Sequence, residues 1–328
     1  MDVAKKIPLL LGFVLFLFIL SRIDLLQVSK IFAAINLAYF AVALIVLGLV
    51  LFLKGLKWHI LLAGQGINVS SIECSKYFCI GFFFGSFTPA KIGDFTRAFY
   101  LPKKNLATGL SSVFVDRLLD IIVLISFAWF SSFILLSYFG KSLISTETIV
   151  ASLLAVIFGI IIMLHPSIIK FFARPFYKIF VPAKLKPFFS EGFDEFFSGF
   201  KSILRKKTPL FFSFCFTILS WVASAMFAYF IALSLNIGVN IEHMLVVLPL
   251  MGFADLLPFT VSGIGARDAL LVLFFGLISL SSEQAIAFSV LLFITNYVVV
   301  AFAGYIFFTK KPIEISHIFD GLKKKKAF

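Results

Sequence analysis

Apolar runs alternate with short basic stretches along nearly the whole chain, and two polar knots interrupt them. Residues 7 to about 26 predict a first helix, and 37–53 a second that ends at Lys54 and Lys57. The next run, 77–88, is about a dozen residues, short against the roughly 20 that a membrane span needs. It leads into the first knot, residues 87–97, and the stretch through Lys103 and Lys104 beyond it is basic. A run that is too short, with positive charge on both sides, reads as a re-entrant hairpin entered from the cytoplasm. Asn105 is placed to cap a long helix through Asp116, Arg117, Asp120 and the apolar 121–136.

The second half repeats the order. Residues 148–164 read as a span, and 209–235 as another. Residues 241–257 and 269–280 flank the second knot, 258–268, as a second hairpin, and 283–308 closes the series. The loops outside that second hairpin lack Lys and Arg, so it is expected to dip from the opposite face. The expected fold is therefore an all-α integral membrane protein of about six transmembrane helices and two re-entrant helical hairpins. Its halves, 1–140 and 141–310, would form an inverted repeat, a plan that places a transporter's site at the interface between repeats. Residues 166–208 read as a cytoplasmic insert and 311–328 as a basic cytoplasmic tail. Within the insert Phe189, Phe193, Phe196, Phe200 and Ile203 recur at helical spacing. That predicts an amphipathic helix on the inner leaflet, with its phenylalanines in the headgroup region and Lys201 and Arg205 reaching anionic lipid.

Composition agrees with the pattern. Of 328 residues 61% are hydrophobic and 14% charged, which a soluble core of this size does not tolerate. Lys5 and Lys6 precede the first run as they would in a signal peptide, but no small-residue cleavage site follows, so an uncleaved helix is expected. The net charge of +13 does not point to nucleic acid, because the 29 Lys and Arg cluster in loops beside apolar runs. In this topology 24 of them fall inside, with Arg22, Lys30 and Lys141 outside and Arg117 and Arg267 within the membrane. Both termini are then cytoplasmic and the protein is a multi-pass plasma-membrane protein. Cys74, Cys79 and Cys215 read as core thiols, and the four histidines lack ligand spacing, so no metal or other cofactor is expected.

The chemistry concentrates in the knots. Arg97, Arg117 and Arg267 can grip phosphate bidentately, and Lys91 acts as a point charge. Pro89 with Gly93, and Pro258 with Gly263 and Gly265, break the hairpin tips and free backbone N–H groups for an anion. Asp94, Asp116, Asp120 and Asp268 can neutralise the cations when no ligand is bound. Asp116 and Asp120 share a helix face, and Arg117 reaches Asp120 at i,i+3. The plainer reading is that these charges staple the hairpins to the bundle. For Arg267 and Asp268, deep in apolar surroundings, a binding role is preferred; for Asp116, Arg117 and Asp120 both readings stand, and Arg97 has a solvated loop cation as its rival. Lys54, Lys57 and Trp58 read as interface anchors.

These motifs, Pro89-x-Lys91-x-Gly93-Asp94-x-x-Arg97, Asp116-Arg117-x-x-Asp120 and Pro258…Gly263-x-Gly265-x-Arg267-Asp268, resemble the lysylphosphatidylglycerol synthase transmembrane family, also called flippase-like. Lys57-Trp58 is similar too. The resemblance implies a protein that handles anionic or modified, phosphate-bearing phospholipids by moving them between leaflets. A membrane enzyme or accessory protein of polyprenyl-phosphate or phospholipid modification is the alternative, and a separate lipid-modifying synthase is a conceivable partner. Lys91 stands where the family usually has Arg, and Asp94, Asp116 and Asp268 where it has Glu. The aminoacyl-transferring domain of bifunctional relatives has no counterpart after Phe308, so lysyl-lipid synthesis is not expected of this chain.

Overall fold

A computed structural model describes residues 17–19, 21, 24–102, 105–139, 147, 150, 154, 186–256 and 263–312, all helix, turn or connecting segment with no strand among them. Most of the first expected span and all but residues 150 and 154 of 148–164 lie outside these residues, as does Pro258.

A short helix, α1 (Leu25–Ala33), occupies what reads in the sequence as an outer loop. Asp24 caps it, its Oδ1 accepting the Leu26 N–H at 2.8 Å, and Val28 is buried in the main core. Asn36 then caps α2 (Leu37–Gly64) in the same way. This helix continues well past the expected end at residue 53, because Leu53, Lys57, Trp58, Leu61 and Leu62 form one buried face. Its 28 residues reach about 42 Å at 1.5 Å per residue, more than the roughly 30 Å of a hydrocarbon core. Helix α3 (Ser71–Ser86) starts earlier than the expected 77, at the cap supplied by Ser70.

After α3 the chain doubles back as a 3₁₀ helix, Pro89–Tyr100, packed along α3. Gly93 permits this. A Cβ there would strike the carbonyl group of Phe84, while the Gly93 N–H donates to Thr88 Oγ1 at 2.7 Å. Helix α4 (Leu106–Phe139) begins directly after Asn105 and carries Asp116, Arg117 and Asp120. Gly93→Ala is therefore expected to cut the yield of folded protein sharply, since Phe84 backbone cannot move aside; monodisperse elution from a sizing column measures it.

Helix α5 (Lys186–Arg205) confirms the helical spacing but corrects what covers its apolar face. Phe200 and Ile203 are buried against Val115 and Leu119 of α4, and Ser111 Oγ donates to the Phe196 carbonyl at 2.7 Å. Phe200 thus meets protein rather than headgroups; the side chain of Phe193 is outside the described set.

The second half holds α6 (Lys207–Ser234), α7 (Ile241–Leu256), α8 (Ala266–Leu277) and α9 (Ser282–Lys310), the last with a π-helical turn at Ile294–Val299. Helices α7 and α8, which flank the second knot, pack against each other. Between them, Gly263 and Gly265 have φ of 73° and 83°, a left-handed backbone that costs other residues energy. The largest core joins α2, α6, α7, α8 and α9 around residues such as Leu47, Ile231, Val247, Phe275 and Phe288. Among the described residues, α2, α6 and α9 are each long and apolar enough to cross a membrane.

Candidate functional site

Burial of charge defines the site. Lys57, Asp94, Arg97, Asp116, Asp120, Arg267 and Asp268 all lie inside the protein, and the other buried side chains among the described residues are apolar or carry only a hydroxyl. Such groups persist only when paired, because an isolated buried ion costs several kcal/mol, of order 3–5 when one partner of a pair is removed.

In the first half the pairs cross between the 3₁₀ helix and α4. Arg97 Nη2 donates to Asp116 Oδ2 at 2.5 Å, and Asp94 is paired with Arg117. Arg117 also lies 3.8 Å from Asp120, the i,i+3 pair expected from the sequence. Arg97 is thus neutralised by Asp116 and not by Asp94, its neighbour in the sequence. Residues three apart in a 3₁₀ helix lie on one face, here the face toward α4. Consecutive Asp116 and Arg117 offer opposite charges there, so each hairpin ion takes the opposite one. A pair within the 3₁₀ helix would leave Asp116 with Lys57 alone, which it shares with Asp120.

Lys57 completes this half and corrects its reading as an interface anchor. It is fully buried, with Nζ 2.7 Å from Asp120 Oδ1 and 3.0 Å from Asp116 Oδ1. Trp58 Nε1 donates to Ser112 Oγ at 2.9 Å, and the Arg97 guanidinium lies 4.8 Å from the Trp58 ring and 5.6 Å from that of Phe78. Arg97 is therefore no solvated loop cation. An aromatic face accepts a guanidinium without supplying a hydrogen bond, so Arg97 Nε and Nη1 keep no hydrogen-bond partner.

In the second half Asp268 does two things. Its Oδ2 accepts the Gly265 N–H at 2.8 Å, capping α8, and its Oδ1 accepts from Ser289 and lies 3.4 Å from Arg267 Nη2. Arg267 Nε donates to Ser289 Oγ at 3.0 Å, its guanidinium lies over Phe293 and Tyr297, and its Nη1 has no hydrogen-bond partner.

The two halves meet through Lys91. Its Nζ is 2.8 Å from Asp255 Oδ2, an oxygen that also accepts from the Tyr297 hydroxyl. Lys91 has φ 54°, a strained conformation for a side-chain-bearing residue. The hairpin tip is held there by its partner across the interface. Tyr297 belongs to the π-helical turn of α9 and faces both Lys91 and Arg267, at 5.2 Å and 5.8 Å from its ring.

All eight charged residues singled out in the sequence are therefore placed in one of two adjoining clusters. Sequence reasoning missed Lys57, Asp255, Ser289 and Tyr297. For Asp255 a signal existed, a carboxylate within the apolar run 241–257, three residues before Pro258 of the second knot. For Lys57 the continuation of the apolar pattern through Leu61 and Leu62 was the clue. Ser289 and Tyr297 carry none, as both residue types are ordinary in membrane helices.

Residues 7–304 match the family profile described as the lysylphosphatidylglycerol synthase TM region. A UPF0104 membrane protein of Methanocaldococcus jannaschii is 30% identical over 238 residues, 69% of this chain and 93% of its own length. One from Pyrococcus horikoshii is 23% identical over 87% of this chain and 90% of its own. A second from Methanocaldococcus jannaschii is 23% identical over 92% and 93% respectively. No solved structure gives a significant match.

Proposed function

We propose, from the premise that the chain belongs to the lysylphosphatidylglycerol synthase TM region family, that it is a flippase-like protein moving a phosphate-bearing lipid between leaflets. One observation carries the reading: Arg97 and Arg267, one from each hairpin, are buried and charged yet keep guanidinium donors without hydrogen-bond partners. A buried guanidinium with spare donors is primed for an anion with several acceptor oxygens, which a phosphate is.

In this mechanism the hairpins enter from opposite faces and offer the two arginines to alternate leaflets. Between visits Asp116 neutralises Arg97, and Asp268 neutralises Arg267. A phosphate arriving at either arginine competes with that carboxylate, so binding loosens the contacts that hold the hairpin in place. The Lys91–Asp255–Tyr297 contact joins the halves and has to yield when one moves against the other. Membership of a transporter-like fold with inverted halves at 1–140 and 141–310 is part of the same proposal.

Reconstitution in liposomes tests it. A labelled phosphate-bearing lipid is expected to change leaflet faster than in protein-free vesicles; an unchanged rate for every phosphate-bearing headgroup tried overturns the reading. Orientation is tested separately. With Cys74, Cys79 and Cys215 replaced, Ser190→Cys and Ser281→Cys are expected to label from opposite sides of the membrane, with Ser190 and both termini inside. Labelling of both from the same side overturns the six-span topology.

A further inference from the structure

Five cations of the site each have a carboxylate partner: Arg97 with Asp116, Lys57 with Asp120, Arg117 with Asp94, Lys91 with Asp255, and Arg267 with Asp268. That leaves Lys54. It lies one turn before Lys57 on α2, half-buried, and forms no ion pair among the described residues. Its Nζ is 5.8 Å from the Phe78 ring and 5.9 Å from that of Trp221. Both rings belong to the site's wall. Phe78 also faces the Arg97 guanidinium at 5.6 Å, and Trp221 Nε1 donates to Asp120 Oδ1 at 3.3 Å.

We infer that Lys54, between Phe78 and Trp221, is a further anion-binding position that takes a phosphate group before the paired arginines do. The physical reason is the order of costs. A phosphate approaching Arg97 or Arg267 has to displace a carboxylate, and leaves that carboxylate buried without its partner. A phosphate approaching Lys54 displaces no carboxylate and neutralises a cation that is otherwise offset by two aromatic faces and, without a direct ion pair, by the Asp120 carboxylate nearby. Lys54 is also part-exposed, whereas Arg97 and Arg267 are closed in, so an incoming headgroup reaches it without any hairpin movement. An ammonium is a compact point charge without the bidentate fork, which suits a waiting position more than a final grip.

The inference rests on the phosphate-lipid reading above, and the test keeps the two apart. Leaflet transfer of labelled phosphatidylglycerol is measured in liposomes for the parent, Lys54→Met, Lys54→Arg and Arg267→Ala, with folded yield measured alongside. Lys54→Met is expected to fold as well as the parent, because it removes an unpaired cation. It is expected to raise the lipid concentration giving half-maximal transfer at least tenfold, and Lys54→Arg to stay within a few-fold of the parent. If Arg267→Ala stops transfer while Lys54→Met leaves the concentration dependence unchanged, this inference is wrong and the parent reading stands. If Arg267→Ala is as active as the parent, the parent reading falls first. A second arm uses inorganic phosphate to protect Lys54 from an amine-reactive reagent, in a variant whose accessible lysines have been replaced by arginine. Protection by inorganic phosphate assigns the position to the free anion, and protection only by vesicles containing phosphatidylglycerol assigns it to a lipid headgroup. Protection by neither overturns the proposal.

Discussion

Arg267→Ala is expected to abolish lipid transfer, and Arg267→Lys to keep a fraction of it. Lysine preserves the charge near Asp268, but loses both the Nε donor that Ser289 accepts at 3.0 Å and the planar fork. A purely structural role makes a different prediction, and the geometry of Asp268 dictates how to separate the two. Removing Arg267 leaves the Asp268 carboxylate buried without its cation, so loss of function by misfolding has to be controlled. Asp268→Ala is a poor control, since it also removes the acceptor of the Gly265 N–H and with it a helix cap worth about 1 kcal/mol. Arg267→Ala with Asp268→Asn is better. The amide oxygen still accepts the Gly265 N–H while the stranded charge is gone. This double variant is expected to recover the folded yield of the parent and to remain without transfer. If it moves lipid at the parent rate, Arg267 is a staple and the phosphate-site reading fails.

Lys57→Met is expected to be the most destabilising single change in the site. Lys57 Nζ lies between Asp116 and Asp120, all three of them buried. Without it, two carboxylates face each other with Arg97, Arg117 and the unpaired Lys54 as the remaining cations, and Arg117 is already paired with Asp94. Loss of one partner from such a pair costs roughly 3–5 kcal/mol, a large share of a typical domain's stability. Adding Asp120→Asn to Lys57→Met restores the charge balance and is expected to return most of the loss. Thermal unfolding in detergent, followed by tryptophan fluorescence, reads both. An unchanged midpoint for Lys57→Met alone contradicts the buried network.

The membrane class and the helical content were legible in the chain, and so were eight of the charged residues that the structure gathers. The reason is that hydrocarbon imposes a length and an apolarity on every crossing segment, so a short run, a proline or an arginine stands out from its surroundings. The family could be read from the same exceptions, since its motifs consist of them. Partnership could not. Asp94 and Arg97 lie close in sequence, yet pair with Arg117 and Asp116, because the face that a 3₁₀ helix turns to its neighbour decides which opposite charge is within reach. The joining of Lys91 to Asp255 and Tyr297 likewise depends on how two distant hairpins pack. Lys57 looked like a helix end by charge, but a covering of α4 and α6 turns that end into interior. Chain pattern by itself determines which residues are too costly to leave alone in a membrane; only the tertiary structure decides which partner relieves that cost, because electrostatic pairing depends on distance across the fold rather than along the chain.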